Sequence, residues 1–138
     1  MKKINLTITG CLGKMGQQLI RSLKKERKFK LVALTESRRI DKKISGLTPQ
    51  LNSKSAFKNA NVIIDFTVPK STLEVLEIAS KMKKKVIIGT TGFSKKEENR
   101  IKKFSKKIPI LKAGNMSLGV NLLMYLTEIA SKSLDNTF

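Results

Sequence analysis

The chain has no histidine, no tryptophan, one cysteine and one tyrosine among its 138 residues. Without imidazole it lacks the side chain that most often acts as general acid or base near neutral pH. A single cysteine, Cys11, excludes an internal disulfide. The expected setting is therefore reducing and cytoplasmic. No segment approaches the roughly 18 apolar residues of a membrane-spanning helix, so no membrane partner is expected. The opening Met1-Lys2-Lys3 precedes Ile4-Asn5-Leu6-Thr7-Ile8-Thr9, which alternates apolar with polar residues and stops at Gly10. It therefore fails as the apolar core of a secretion signal. No metal site is expected.

Acidic residues are scarce as well. Ten Asp and Glu against 29 Lys and Arg leave a formal charge of +19. Such a balance invites a nucleic-acid reading. The lysines, however, are spread over the whole chain, and the six Phe lie mostly in apolar runs. A base-stacking surface needs aromatics interleaved with the basic residues. The lysines read as a solvated surface, with weak, salt-sensitive attachment to polyanions as a side effect and no specific nucleic-acid partner. With 40% hydrophobic residues, the chain is long enough for one domain with a real core.

Five apolar runs alternate with helical patterns. Strands are expected at residues 4–9, 31–35, 62–66, 86–89 and 108–113. A helix over residues 14–26 places Met15, Leu19, Ile20 and Leu23 on one face. Residues 37–55 read as a loop and 56–61 as a short helix or turn. Ser71-Thr72-Leu73-Glu74 and Ser94-Lys95-Lys96-Glu97 read as capping boxes opening two further helices. A last helix over residues 117–134 has Val120, Leu123, Met124, Leu126, Thr127 and Ala130 as burial candidates. The predicted class is α/β, a doubly wound parallel (Rossmann-type) sheet with flanking helices and a ligand crevice at the strand carboxyl ends. Pro109 places the fifth strand at or near a sheet edge.

The first strand runs into Gly10-Cys11-Leu12-Gly13-Lys14-Met15-Gly16 and then a helix. Glycines let backbone approach a pyrophosphate closely, and the helix start offers it free N–H groups. The spacing is GxxGxxG rather than GxGxxG. A ribose-binding acid belongs about 20 residues further on. Glu36 stands at that distance from Gly16, ending the second strand. The other strands end in Asp65-Phe66-Thr67-Val68-Pro69, Gly89-Thr90-Thr91-Gly92-Phe93 and Ala113-Gly114-Asn115-Met116-Ser117. All five ends are expected at one edge.

These strings, with Asn115-Met116-Ser117-Leu118-Gly119-Val120-Asn121, resemble the cofactor-binding portion of the 4-hydroxy-tetrahydrodipicolinate reductase (dihydrodipicolinate reductase) family. The resemblance covers essentially the whole chain. It implies NADH- or NADPH-dependent reduction of a small cyclic dicarboxylate in lysine and diaminopimelate synthesis. By motif, Gly10, Cys11, Leu12, Gly13, Lys14 and Met15 would cradle the pyrophosphate, and Glu36 would hold the adenosine ribose. Phe66 and Thr67 would line the groove, and Gly89, Thr90 and Thr91 would lie near the nicotinamide and its ribose. Ala113, Gly114, Asn115 and Met116 would hold the nicotinamide end. Lys14 is alternatively an ordinary first-turn lysine, and Asn115 or Ser117 a helix cap. Asp65 is expected to order its own loop. Glu36 favours NADH, while Arg38 and Arg39 offer charge to a 2′-phosphate.

The family's His-His pair, its following Lys and its carboxylate-binding Gly-Thr have no counterpart in the chain. The expectation is a truncated chain: residues 1–117 a dinucleotide-binding domain, and 118–138 the start of a substrate and tetramerisation domain. It would bind dinucleotide, turn over poorly or not at all, and be monomeric or weakly associated where the family is homotetrameric. Alternatives are a non-catalytic dinucleotide-binding regulator, a basic nucleic-acid binder, and a homoserine or aspartate semialdehyde dehydrogenase sharing the fold.

Overall fold

All five apolar runs become parallel strands in one sheet. A computed structural model describes residues 3–134. The elements are β1 (Ile4–Thr9), α1 (Lys14–Leu23), β2 (Phe29–Thr35), α2 (Lys54–Phe57), β3 (Val62–Asp65), α3 (Pro69–Lys81), β4 (Lys85–Ile88), α4 (Lys95–Ser105), β5 (Ile110–Lys112) and α5 (Leu118–Ser133). The order β2-β1-β3-β4-β5 reverses direction at β1 and β3, which is the topological switch of a doubly wound sheet. β5, which starts just after Pro109, is an edge strand, in line with the expectation.

Register divides the strand residues between two faces. Thr7 pairs with Ile63 and Ile63 with Val86; the alternate set is Ile8, Ile64 and Ile87. The first set faces a core that includes Phe57, Ile63, Leu73, Val75, Leu76, Val86, Ile88 and Ile101 beneath α2, α3 and α4. The second face is covered by α1, where Ile8, Cys11, Ile20 and Leu34 form a smaller core. Thr9 pairs with Asp65 and so shares the α3 face.

Several expectations are corrected. α1 ends at Leu23 rather than residue 26, and Met15 is exposed. Ser71–Glu74 is not a capping box: α3 begins at Pro69, with Val68 as an N-cap that makes no side-chain bond. Proline suits the first helical position because its missing N–H would be unpaired there anyway. The short helix α2 falls at Lys54–Phe57, capped by Ser53, rather than within residues 56–61. Residues 37–55 are not formless, since Gln50 donates to Leu34 O and accepts from Glu36 N, extending the sheet beside β2. The Ser94–Glu97 capping box is present, and Ser94 N and Oγ hold the Glu97 carboxylate below the usual range. The burial candidates of α5 are all exposed, Leu123 at 64% and Met124 at 62%. No described residue covers that helix, so its apolar side chains meet solvent.

Candidate functional site

The carboxyl ends of β1, β2 and β3 surround a cleft of about 240 Å³. Gly10 turns the chain with φ +67°, and a Cβ there would lie 2.7 Å from Thr67 Cγ2 and 2.9 Å from Phe66 O. Gly13 is the N-cap of α1, with extended backbone and no capping side chain, and the first turn holds no acid. The N–H groups of Lys14, Met15 and Gly16 therefore keep no helical partner and present the positive end of the helix dipole. Gly16 serves packing: a Cβ would fall 2.2 Å from Gly10 O and 2.9 Å from Cys11 Cα. The helix can sit against its own loop only if this residue has no side chain.

Glu36 reaches back to the same loop. One carboxylate oxygen accepts from Leu12 N at 3.1 Å and the other from Ser37 N at 2.9 Å. Each oxygen can accept more than one bond, so capacity remains for a hydroxyl. Cys11 is fully buried beside it, and its N–H donates to Thr35 O. Burial first, and then the Glu36 charge, push the thiol up to about 11. The side chain is a protonated packing group rather than a surface contact.

The cleft brings together five of the sequence-predicted residues: Gly10, Gly13, Glu36, Phe66 and Thr67. Thr35, Ser37, Asn52, Val68 and Ser71 complete it. Asn52 accepts from Thr35 Oγ at 2.7 Å and reaches Ser71 Oγ at 3.4 Å. The β4 end adjoins the cleft through Phe66, whose ring lies against Gly89; a Cβ on Gly89 would fall 2.0 Å from it. Thr90 is buried, its hydroxyl accepting from Thr67 N at 2.8 Å and donating to Asp65 at 2.9 Å. Its side chain thus faces inward, whereas Thr91 is exposed. Ala113, Gly114, Asn115 and Met116 follow β5 and do not line the cleft. Asn115 Oδ1 accepts from Ser117 N and its Nδ2 donates to Asn121, while Ser117 caps α5.

A family model described as "Dihydrodipicolinate reductase, N-terminus" matches residues 4–116. The chain belongs to the dihydrodipicolinate reductase family. Among curated relatives, the 4-hydroxy-tetrahydrodipicolinate reductase of Pelagibacter ubique is 67% identical, over 100% of this chain and 54% of its own length. That of Buchnera aphidicola subsp. Baizongia pistaciae is 40% identical, over 98% of this chain and 56% of its own. The chain thus spans about half the length of these relatives. A dipicolinate-bound dihydrodipicolinate reductase from Paenisporosarcina sp. superposes with a TM-score of 0.78 at 23% identity, covering 94% of this chain and 54% of that one. An aspartate semialdehyde dehydrogenase II from Vibrio cholerae shares the fold more distantly, with a TM-score of 0.60 at 16% identity over 83% of this chain and 39% of that one.

For a member of this family, the cleft residues missed in sequence had readable signals. Pro69 marks the start of α3, which puts Val68 and Ser71 at the crevice. Ser53, three residues before Ala56, is the cap that starts α2 immediately after Asn52. Among the described residues no group of three or more His, Cys, Asp or Glu is placed to hold a metal. No described helix is long and apolar enough to cross a membrane.

Proposed function

We propose that this chain is the part of a 4-hydroxy-tetrahydrodipicolinate reductase that binds NADH or NADPH. The observation that carries the reading is the uncapped start of α1 behind a glycine turn, with Glu36 hydrogen-bonded to that turn. The pyrophosphate lies over Gly10, Cys11, Leu12, Gly13, Lys14 and Met15, held by backbone N–H groups. The Glu36 carboxylate accepts from the adenosine ribose. Phe66 and Thr67 wall the groove. Gly89, Thr90 and Thr91 present backbone to the nicotinamide ribose, and Ala113, Gly114, Asn115 and Met116 stand at the ring end.

When bound, the reduced nicotinamide supplies the hydride that converts 4-hydroxy-tetrahydrodipicolinate to tetrahydrodipicolinate, a step of lysine and diaminopimelate synthesis. The chain's own residues would hold and orient that ring. No histidine is present to protonate the product, so the isolated chain binds cofactor without turnover. Residues 1–117 form the cofactor domain and 118–138 lead into a substrate and tetramer-forming domain. The full enzyme is a cytoplasmic homotetramer, and this chain alone is at most weakly associated.

Glu36 repels a 2′-phosphate, whereas Arg38 and Arg39 attract one, so both coenzymes bind with a mild preference for NADH. Titrating the Glu36→Lys variant with both coenzymes tests the assignment. The NADPH-to-NADH affinity ratio is expected to rise about tenfold, the worth of one charge-assisted contact. An unchanged ratio would remove Glu36 from the site.

A further inference from the structure

Asp65 is fully buried at the end of β3 and forms no ion pair among the described residues. Placing a carboxyl there is costly unless every lone pair is used. Four threonine hydroxyls surround it. On one oxygen, Thr9 lies at 2.5 Å and Thr67 at 2.8 Å; on the other, Thr72 lies at 2.5 Å and Thr90 at 2.9 Å. They come from four places: the end of β1, the loop after β3, α3, and the loop after β4. The Thr90 hydroxyl also accepts the Thr67 N–H at 2.8 Å, which leaves its own proton for Asp65. The bond from Thr67 holds its methyl against Gly10, and the neighbouring Phe66 ring is held against Gly89.

We propose that Asp65 is a positioning residue for cofactor binding, its carboxyl setting the distance between the loop after β1 and the loop after β4. The inference rests on the dinucleotide reading above and deepens it. Ordering its own loop would need only Thr67. The bonds to Thr9 and Thr90 join the two neighbouring strand ends, where the pyrophosphate and the nicotinamide ribose are carried. The Asp65 and Thr90 side chains are both buried and spend their polar atoms on each other and on neighbouring threonines, so their effect on binding comes through backbone placement.

The test compares NADH with ADP-ribose, which lacks the nicotinamide, by titration calorimetry on the full chain. Thr90→Val keeps the shape of the side chain and removes both bonds of its hydroxyl, the one donated to Asp65 and the one accepted from Thr67 N. NADH affinity is expected to fall at least about tenfold, the scale of the one or two buried groups left unpaired. ADP-ribose affinity should stay within about twofold, and Thr90→Ser should restore NADH binding, because the hydroxyl returns. Asp65→Asn, where it folds, should weaken NADH more than Thr90→Val does. Equal loss of both ligands in Thr90→Val would overturn the inference, because the network would then support only the fold. Unchanged NADH binding in Thr90→Val would overturn it too. A folded wild-type chain that binds neither ligand would overturn the dinucleotide reading and this inference together.

Discussion

At the carboxyl ends of β1 to β4 the loops touch one another: Gly10 meets Thr67, Phe66 meets Gly89, and Asp65 joins four threonines. Beyond β5 the chain is also rich in apolar side chains, yet from Met116 through Leu134 all of them are exposed. Both regions hold motifs of the same reductase family. The difference is what each motif rests on. The first region is completed by neighbouring strands within the described residues. In the second, helix formation is local, with Ser117 as cap and Asn115 as turn, but burial requires a partner surface.

Substitutions sharpen that contrast. The largest effect is expected for Gly16→Val, because the new side chain would meet Gly10 O and Cys11 Cα, which are backbone atoms unable to move aside. A loss beyond about 4 kcal/mol, or no folded protein, is the expected outcome of a urea melt. Ile63→Ala removes a fully buried side chain between β1 and β4 and should cost about 2–5 kcal/mol. Leu123→Ala in α5 should stay within about 0.5 kcal/mol, since its side chain is already in water. Equal costs at these two positions would show that α5 is packed in solution. Ser94→Ala breaks the capping box of α4 and should cost about 1 kcal/mol.

An effect absent at neutral pH concerns Cys11, whose thiol is pushed from 9.0 up to about 11 on folding. Between those values the unfolded chain has lost the thiol proton and the folded chain has kept it. The stabilisation is complete below pH 9 and is lost as pH rises towards 11. Lysines titrate in the same window, so the informative quantity is the difference between wild type and Cys11→Ala. Wild-type stability should fall more steeply over that range, and alkylation of native Cys11 should be slower than in urea.

Sequence patterns were most legible where the physics is local or periodic. Five apolar runs, a glycine turn and an acid at the right distance define the sheet and three sides of the cleft. The remainder depended on contacts distant in sequence. Thr72 reads as part of a capping box, yet its hydroxyl is used seven residues back by Asp65. Thr90 reads as a cofactor contact, yet its side chain turns inward for the same reason. Asn52 sits in a polar stretch with no periodicity; the Ser53 cap beside it is a local signal, but the pairing of Gln50 with Leu34 and Glu36 that brings the stretch to the crevice is not. The apolar spacing of α5 correctly marks a helix, but amphipathicity alone does not say what covers it.

The most direct measurement is calorimetric titration of NADH into the wild-type chain and into Gly13→Val. A Cβ at Gly13 would lie 3.3 Å from Gly10 O, close enough to need only a small adjustment, so the variant should fold. Its side chain would nevertheless cover the N–H groups at the start of α1. Saturable one-site binding by the wild type, lost in Gly13→Val while the melting curve is nearly unchanged, is the expected result. A folded wild type that does not bind, or a Gly13→Val chain that binds equally well, would contradict the assignment of this loop to the pyrophosphate.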